Sequence, residues 1–269
     1  MTCSVFKPLL LAAAIATTLA ACATTTSPTG RTQYVGAVSQ AELNQMGEQA
    51  FAQMKQQQPQ TNNAQQRNYV TCVTNAVIRE LPSQWQQLRW ETAVFQDNNP
   101  NAFALPGGKV GVYTGIFSVA RDQNQLAGVI AHEIGHVLSR HHDERITRQT
   151  IAQVGVGVAG AAAGSNYGQL VSQGGSILAQ TGFLLPNSRD QETEADVVGQ
   201  ELMARAGFDP RGAVSLWQNM IAAGGSRPPQ WLSTHPNPEA RISELRARAE
   251  QLVPVYEQAR AAGKRPACG

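Results

Sequence analysis

The apolar positions change their spacing several times along the chain, and each change marks an element. From Ser39 to about Gln57 they recur at helical spacing, and Ser39 with Glu42 three residues on forms a capping box that sets the start. A second helical stretch runs from Ala64 to Leu81 and stops at Pro82. Apolar and polar residues then alternate from Leu88 to Gln96. Short strand-like runs follow at Ala102 to Leu105 and Lys109 to Thr114, on either side of Pro106-Gly107-Gly108. Together they predict a small antiparallel sheet. The rest reads as helix: Leu126 to His142, Ser188 toward Ala206, and a last helix from near Glu239. The expected fold class is α+β and mainly α-helical, without internal repeats.

Two stretches do not fit this pattern. Val154 to Gly182 is dense in glycine and alanine, and such glycine density weakens a helix. It reads as a loop between helices, as a movable flap over a site, or as a segment that touches a membrane. At the N-terminus, Lys7 followed by the apolar run Leu9 to Ala21 reads as a secretory signal, shorter than the roughly 20 residues a membrane-spanning helix needs. Leu19-Ala20-Ala21-Cys22 resembles the lipobox of bacterial lipoproteins. That resemblance implies cleavage before Cys22, lipidation of Cys22 and, with Ala23 next, sorting to the outer membrane on its periplasmic side. The expected plan is a signal at 1–21, a lipidated N-terminus and tether at 22–38, and one domain at 39–269.

Charge narrows the partners. Lys and Arg number 21 against 19 Asp and Glu, so no basic footprint exists and nucleic acid is not an expected partner. Of the four cysteines, Cys3 lies in the signal and Cys22 is the lipid candidate. Cys72 and Cys268 remain in an oxidising compartment, either as a disulfide that pins the C-terminal tail to an N-terminal helix or as two free thiols.

The chemistry concentrates in one helix. Of the five histidines, four lie between positions 132 and 142. Leu126, Ile130, Ile134 and Val137 form one apolar stripe, whereas His132 and His136 share a different face. Two imidazoles at i and i+4 can bind one Zn²⁺ from the same side, and Glu133 beside them can act on a water there as general base. A catalytic zinc takes a third protein ligand and keeps one position open. His142 stands where the pattern His-Glu-x-x-His-x-x-Gly-x-x-His places its last histidine, but Ser139 replaces the turn glycine of that pattern. His141 and His142 then read as a cationic helix C-terminus. The rival is Glu192, with Asp196 one turn on to accept the other ring N–H of a ligand histidine. Both can also be read as acids at a helix N-terminus, and Glu194 points elsewhere.

These pieces resemble the M48 zinc peptidases, a family that includes the CAAX-prenyl proteases and lipid-anchored periplasmic members. The matching segments are Asn101-Ala102-Phe103-Ala104-Leu105-Pro106-Gly107-Gly108, His132-Glu133-Ile134-Gly135-His136, Ser188-Arg189 with Glu192-x-Glu-Ala-Asp196, and Thr234-His235-Pro236 with Arg241. The resemblance implies a zincin-type fold with one zinc held by His132, His136 and Glu192. It implies that His235 either stabilises the developing oxyanion or occupies the fourth zinc position at rest, with Arg241 supporting it or lying in a surface ion pair. It also implies the soluble, lipid-anchored envelope branch, without a C-terminal tetratricopeptide domain. The expected activity is endopeptidase cleavage of unfolded or misassembled envelope proteins, laid extended along Asn101 to Leu105 or Lys109 to Thr114. The alternative is an assembly factor or holdase with latent proteolysis.

Overall fold

The computed structural model describes residues 23–162, 187–224, 230–236 and 238–269. Cys22, the signal and most of the glycine-rich stretch lie outside them. The elements are β1 (Ala23–Thr26), β2 (Thr32–Val35), α1 (Gln40–Gln57), α2 (Ala64–Ile78), α3 (Ser83–Gln86), β3 (Glu91–Phe95), β4 (Ala102–Leu105) and β5 (Lys109–Tyr113). A 3-10 turn (Thr114–Ser118) leads into α4 (Gln123–Leu138), α5 (His141–Ala162), α6 (Arg189–Ala206), α7 (Arg211–Gly224), α8 (Gln230–Thr234) and α9 (Pro238–Ala261). None of the described helices is long and apolar enough to cross a membrane.

Local signals set the helix starts. The Ser39 side chain caps α1 and Glu42 reaches back to the Ser39 backbone, so two otherwise unpaired N–H groups are satisfied. Ser188 and Gln191 repeat the device at α6, and Asp122 caps α4. Helix α4 is the centre of the molecule. Every residue from Gln125 to Leu138 is buried, and the helix packs against α2, α6, α7 and β4. Its Leu126, Ile130 and Ile134 enter the main core beside Met203, Phe208, Leu216 and Trp217. A second, aromatic cluster of Phe51, Phe95 and Phe103 joins α1 to the sheet.

The sheet is mixed rather than antiparallel throughout. Strands β4 and β5 are antiparallel, joined by a turn in which Gly107 and Gly108 both take left-handed φ values of +79° and +76°. Strand β3, however, pairs with β5 in parallel, and the order is β3-β5-β4. Alternating polarity reports a buried face and not a direction, so the sequence pattern could not show this. The stretch expected as a tether also differs: β1 and β2 pair antiparallel, Ala23 with Val35 through Thr26 with Thr32. Polar contacts hold this hairpin. Gln33 donates to the Ser139 carbonyl at 2.7 Å, and the Gly36 and Ala37 N–H groups donate to Asp143 and Thr147.

Cys72 of α2 and Cys268 form a disulfide, with Cα atoms 5.5 Å apart. The tail is tied further where Gln123, the first residue of α4, donates to the Pro266 carbonyl and accepts from the Cys268 N–H.

Helices α4 and α6 meet backbone to backbone. A Cβ on Gly199 would lie 2.9 Å from the His132 nitrogen, and one on Gly135 would lie 2.8 Å from the Ala195 carbonyl oxygen. In an open helix, Gly→Ala would stabilise by roughly 0.5–1 kcal/mol. Here the sign should reverse: Gly199→Ala should cost on the order of 1–3 kcal/mol by overpacking, read from denaturant unfolding. A stabilised variant would contradict this close contact.

Candidate metal centre

The buried face of α4 carries His132, Glu133 and His136 toward α6 and the loop after α8. His132, His136, Glu192 and His235 each present a ligand atom, and these atoms all lie within 4.8 Å of one another. The two Nε2 atoms of His132 and His136 are 3.1 Å apart. Glu192 places Oε2 3.5 Å from His132 Nε2 and Oε1 3.4 Å from His136 Nε2. Among the described residues, Glu192 Oε1 and His235 Nε2 are buried without a hydrogen-bond partner. Buried polar atoms are almost always satisfied, so two orphans aimed at one point fit a site built around a cation. His142 is outside this set, although it lines the adjoining cleft.

Each ring is oriented from behind. His132 Nδ1 lies 2.9 Å from Asp196 Oδ1, so the carboxylate accepts from Nδ1–H and Nε2 is the atom turned to the cluster. His235 Nδ1 lies 2.9 Å from the Trp231 carbonyl, which can only accept, so its Nε2 also faces the cluster without that hydrogen. Glu133 accepts from the Trp231 indole N–H at 2.7 Å, with one oxygen 3.2 Å from His235 Nε2. Trp231 therefore places both Glu133 and His235. It sits one helical turn before His235, a spacing visible in the sequence.

Arg241 is not in a surface ion pair. It is buried, donates twice to Asp196 at 2.6 Å, contacts Glu192 and stacks 3.9 Å over the Trp217 ring. Burial alone would raise the carboxyl pKa values. The neighbouring His235, the His132 hydrogen bond and the Arg241 charge instead hold Glu192 down to about 2, and Arg241 and His132 hold Asp196 down to about 2. Burial works against a charge on His132, yet the Asp196 and Glu192 hydrogen bonds push it up to about 9. Burial and the neighbouring His132, His141 and His235 push His136 well below the usual histidine range.

His141 and His142 open α5 instead of closing α4. The chain turns at Arg140, which adopts a left-handed φ of +53° and is tied to Asp143 at 2.6 Å. Both histidines are buried, and burial lowers both pKa values, so the cationic helix end is not what forms. Glu194 is also buried and contacts His141 at 3.0 Å.

A cleft of about 590 Å³ opens beside the cluster, lined by Asn101 to Leu105, Glu133, His136, Arg145, Asn187 and His235, together with Met54 and Tyr113. Of the two strands considered for an extended ligand, β5 is central in the sheet and already paired on both sides, whereas β4 is an edge. Of these two, β4 is the one with an edge left unpaired among the described residues.

The profile of Peptidase family M48 matches residues 64–249, most of the chain. The chain belongs to peptidase family M48. Metallopeptidases of this family use a metal ion, and the cluster above has the donors to bind one. The chain is 40% identical over 179 residues to the mitochondrial metalloendopeptidase OMA1 of Schizosaccharomyces pombe, covering 66% of this chain and 51% of that protein. It is 30% identical over 223 residues to the beta-barrel assembly-enhancing protease of Escherichia coli, covering 80% and 45%. A putative beta-barrel assembly-enhancing protease of Vibrio cholerae is 35% identical over 173 residues, covering 60% and 35%. The chain spans about half the length of the first two.

The Asp196 pair gives an acid-stability prediction. A carboxyl lowered from 3.8 to about 2 adds stability above its ordinary value, and that stability is lost as pH falls through the folded value. Chelator-treated protein should lose on the order of 2 kcal/mol from this group between pH about 4 and 2. Asp196→Asn should start less stable at neutral pH and fall less steeply. Equal slopes in urea melts would rule the account out.

Proposed function

We propose that the protein is a zinc-dependent endopeptidase of the bacterial cell envelope, with unfolded or misassembled envelope proteins as substrates. The observation that carries this reading is the buried His132, His136 and Glu192 set with the Glu133 carboxylate beside it and a free strand edge across the cleft. Zinc prefers ligand atoms at about 2.0–2.2 Å, which puts neighbouring donors of a tetrahedral site roughly 3.3 Å apart. The separations of 3.1, 3.4 and 3.5 Å in this set lie around that value.

An ion bound there would supply Lewis acidity, polarising the scissile carbonyl and acidifying water. Glu133 takes the proton of the attacking water and delivers it to the leaving amine. Trp231 keeps the Glu133 carboxylate aimed while it does so. His235 meets the oxygen on which negative charge develops, or stands in the fourth ligand position at rest. The substrate backbone pairs with β4, which tolerates many side chains because main-chain hydrogen bonds carry the recognition.

The envelope assignment is supported by the apolar leader ending at Cys22, by a disulfide suited to an oxidising compartment, and by bacterial relatives named for β-barrel assembly. The mitochondrial relatives carry the peptidase reading and not the location. A second reading, assembly factor with latent proteolysis, is favoured by His235 facing the cluster and by the word assembly in those bacterial names.

Zinc-loaded protein should cleave casein, chelation should abolish this, and Glu133→Gln should lower the rate by ~10²–10⁴. A wild-type protein inert toward every unfolded substrate would end the peptidase reading. If Glu133→Gln still restores envelope integrity in a deletion strain, the assembly reading takes its place. Separately, Cys22→Ala should move the protein from the membrane to the soluble periplasmic fraction, and a variant that stays with the membrane would refute lipid anchoring.

A further inference from the structure

His136 is held by contacts that run away from the cleft to the N-terminal hairpin. Its Nδ1 lies 2.7 Å from Nδ1 of His141, and His141 Nε2 lies 3.0 Å from Glu194 Oε2. Glu194 accepts in addition from Thr29 Oγ1 at 2.6 Å and from Arg31 Nε and Nη2 at 3.1 and 2.9 Å. An oxygen pair that receives this many donors is an acceptor toward His141 as well, so His141 Nε2 carries the hydrogen. Two Nδ1 atoms 2.7 Å apart need one hydrogen between them. For His136 to offer the lone pair of Nε2, that hydrogen must sit on His136 Nδ1 and point at His141.

Arg31 does more than touch Glu194. Its two terminal nitrogens each lie 2.8 Å from the Glu144 carboxylate, so one guanidinium joins a buried acid of α5 to a buried acid of α6. The bidentate fork fixes direction as well as charge. Gln191 donates to the same Glu144 at 2.9 Å. His132 has its carboxylate directly behind it; His136 has one at a distance of one imidazole, and that carboxylate is anchored by the hairpin.

We propose that Glu194 and His141 are positioning residues that set the tautomer and aim of His136, and that Thr29 and Arg31 of the hairpin lock this relay, so that metal affinity depends on the hairpin. The proposal rests on the reading of His132, His136 and Glu192 as a metal centre. It differs from a purely structural polar network in what it requires of metal binding. Partners behind a ligand histidine raise its basicity and fix its orientation, and their loss weakens metal binding by about 10–100-fold.

Zinc affinity measured by competition with a chromophoric chelator tests this. His141→Leu, which keeps bulk but no ring nitrogen, should weaken binding by ~10–100-fold. His141→Gln, whose amide oxygen can accept from His136 Nδ1, should recover most of the loss. Arg31→Gln, which removes the guanidinium shared by Glu144 and Glu194, should weaken binding several-fold beyond any loss of stability. Thermal melts of the metal-free variants separate loss of fold from loss of affinity. Lower melting temperatures with wild-type zinc affinity in His141→Leu and Arg31→Gln would overturn the proposal, as would His141→Gln binding as weakly as His141→Leu. If the unsubstituted protein fails to bind zinc, the metal-centre reading itself falls, an outcome that needs no variant to recognise.

Discussion

The backbone contact between α4 and α6 is the constraint on which the rest depends. With Gly135 and Gly199 at the crossing, the two helices approach more closely than side chains would allow. That closeness brings an α6 carboxylate within 3.5 Å of two α4 imidazoles. A Cβ at either glycine would push against main-chain atoms, which cannot rotate aside. The chain accepts the weak helix propensity of glycine at these positions because the packing requires it. Large residues then fill the space around the crossing, with Trp217 and Trp231 sealing one side.

Such a sealed crossing forces every charge inside it to have a partner, since an unpaired buried charge is far more costly than a paired one. Helix α6 shows how one sequence meets that demand. Glu192, Glu194 and Asp196 lie within five residues and serve different neighbours: the candidate metal cluster, His141, and the Nδ1 side of His132. Two guanidiniums balance them, Arg241 from the last helix and Arg31 from the connection between β1 and β2. Glu192 also lies in the first turn of α6, where the aligned peptide dipoles favour negative charge. The acids are thus held by elements from both ends of the chain.

Much of this was legible in the residues, for physical reasons that also explain the gaps. The i, i+4 spacing of His132 and His136 and of Glu192 and Asp196 states directly that each pair shares a helix face. The capping boxes at Ser39 and Ser188, and the run Ala102 to Leu105 before a double-glycine turn, rest on local geometry that the sequence carries in full. From spacing alone Glu194 points elsewhere, because i+2 lies on another face of a helix. That is true, but another face can meet another element, here the start of α5, and one-dimensional spacing holds no information about which. The same applies to His141, placed at a helix end that proved to be a helix start once Arg140 turned the chain. The hairpin at 23–35 had no apolar alternation to announce it, because charged and polar contacts hold it instead. The parallel pairing of β3, like the burial of Arg241, depends on partners distant in the chain.

The Cys72–Cys268 bridge spans 196 residues and encloses all of the proposed metal and catalytic groups in one covalent ring. A protease is exposed to its own activity and to that of its neighbours. Any single cut between Cys72 and Cys268 opens the ring without parting it, so both pieces remain one molecule until the sulfur bond is reduced. A nicked population would migrate as intact protein on a non-reducing gel and separate only with thiol present. In an oxidising compartment, one such cut need not release a fragment.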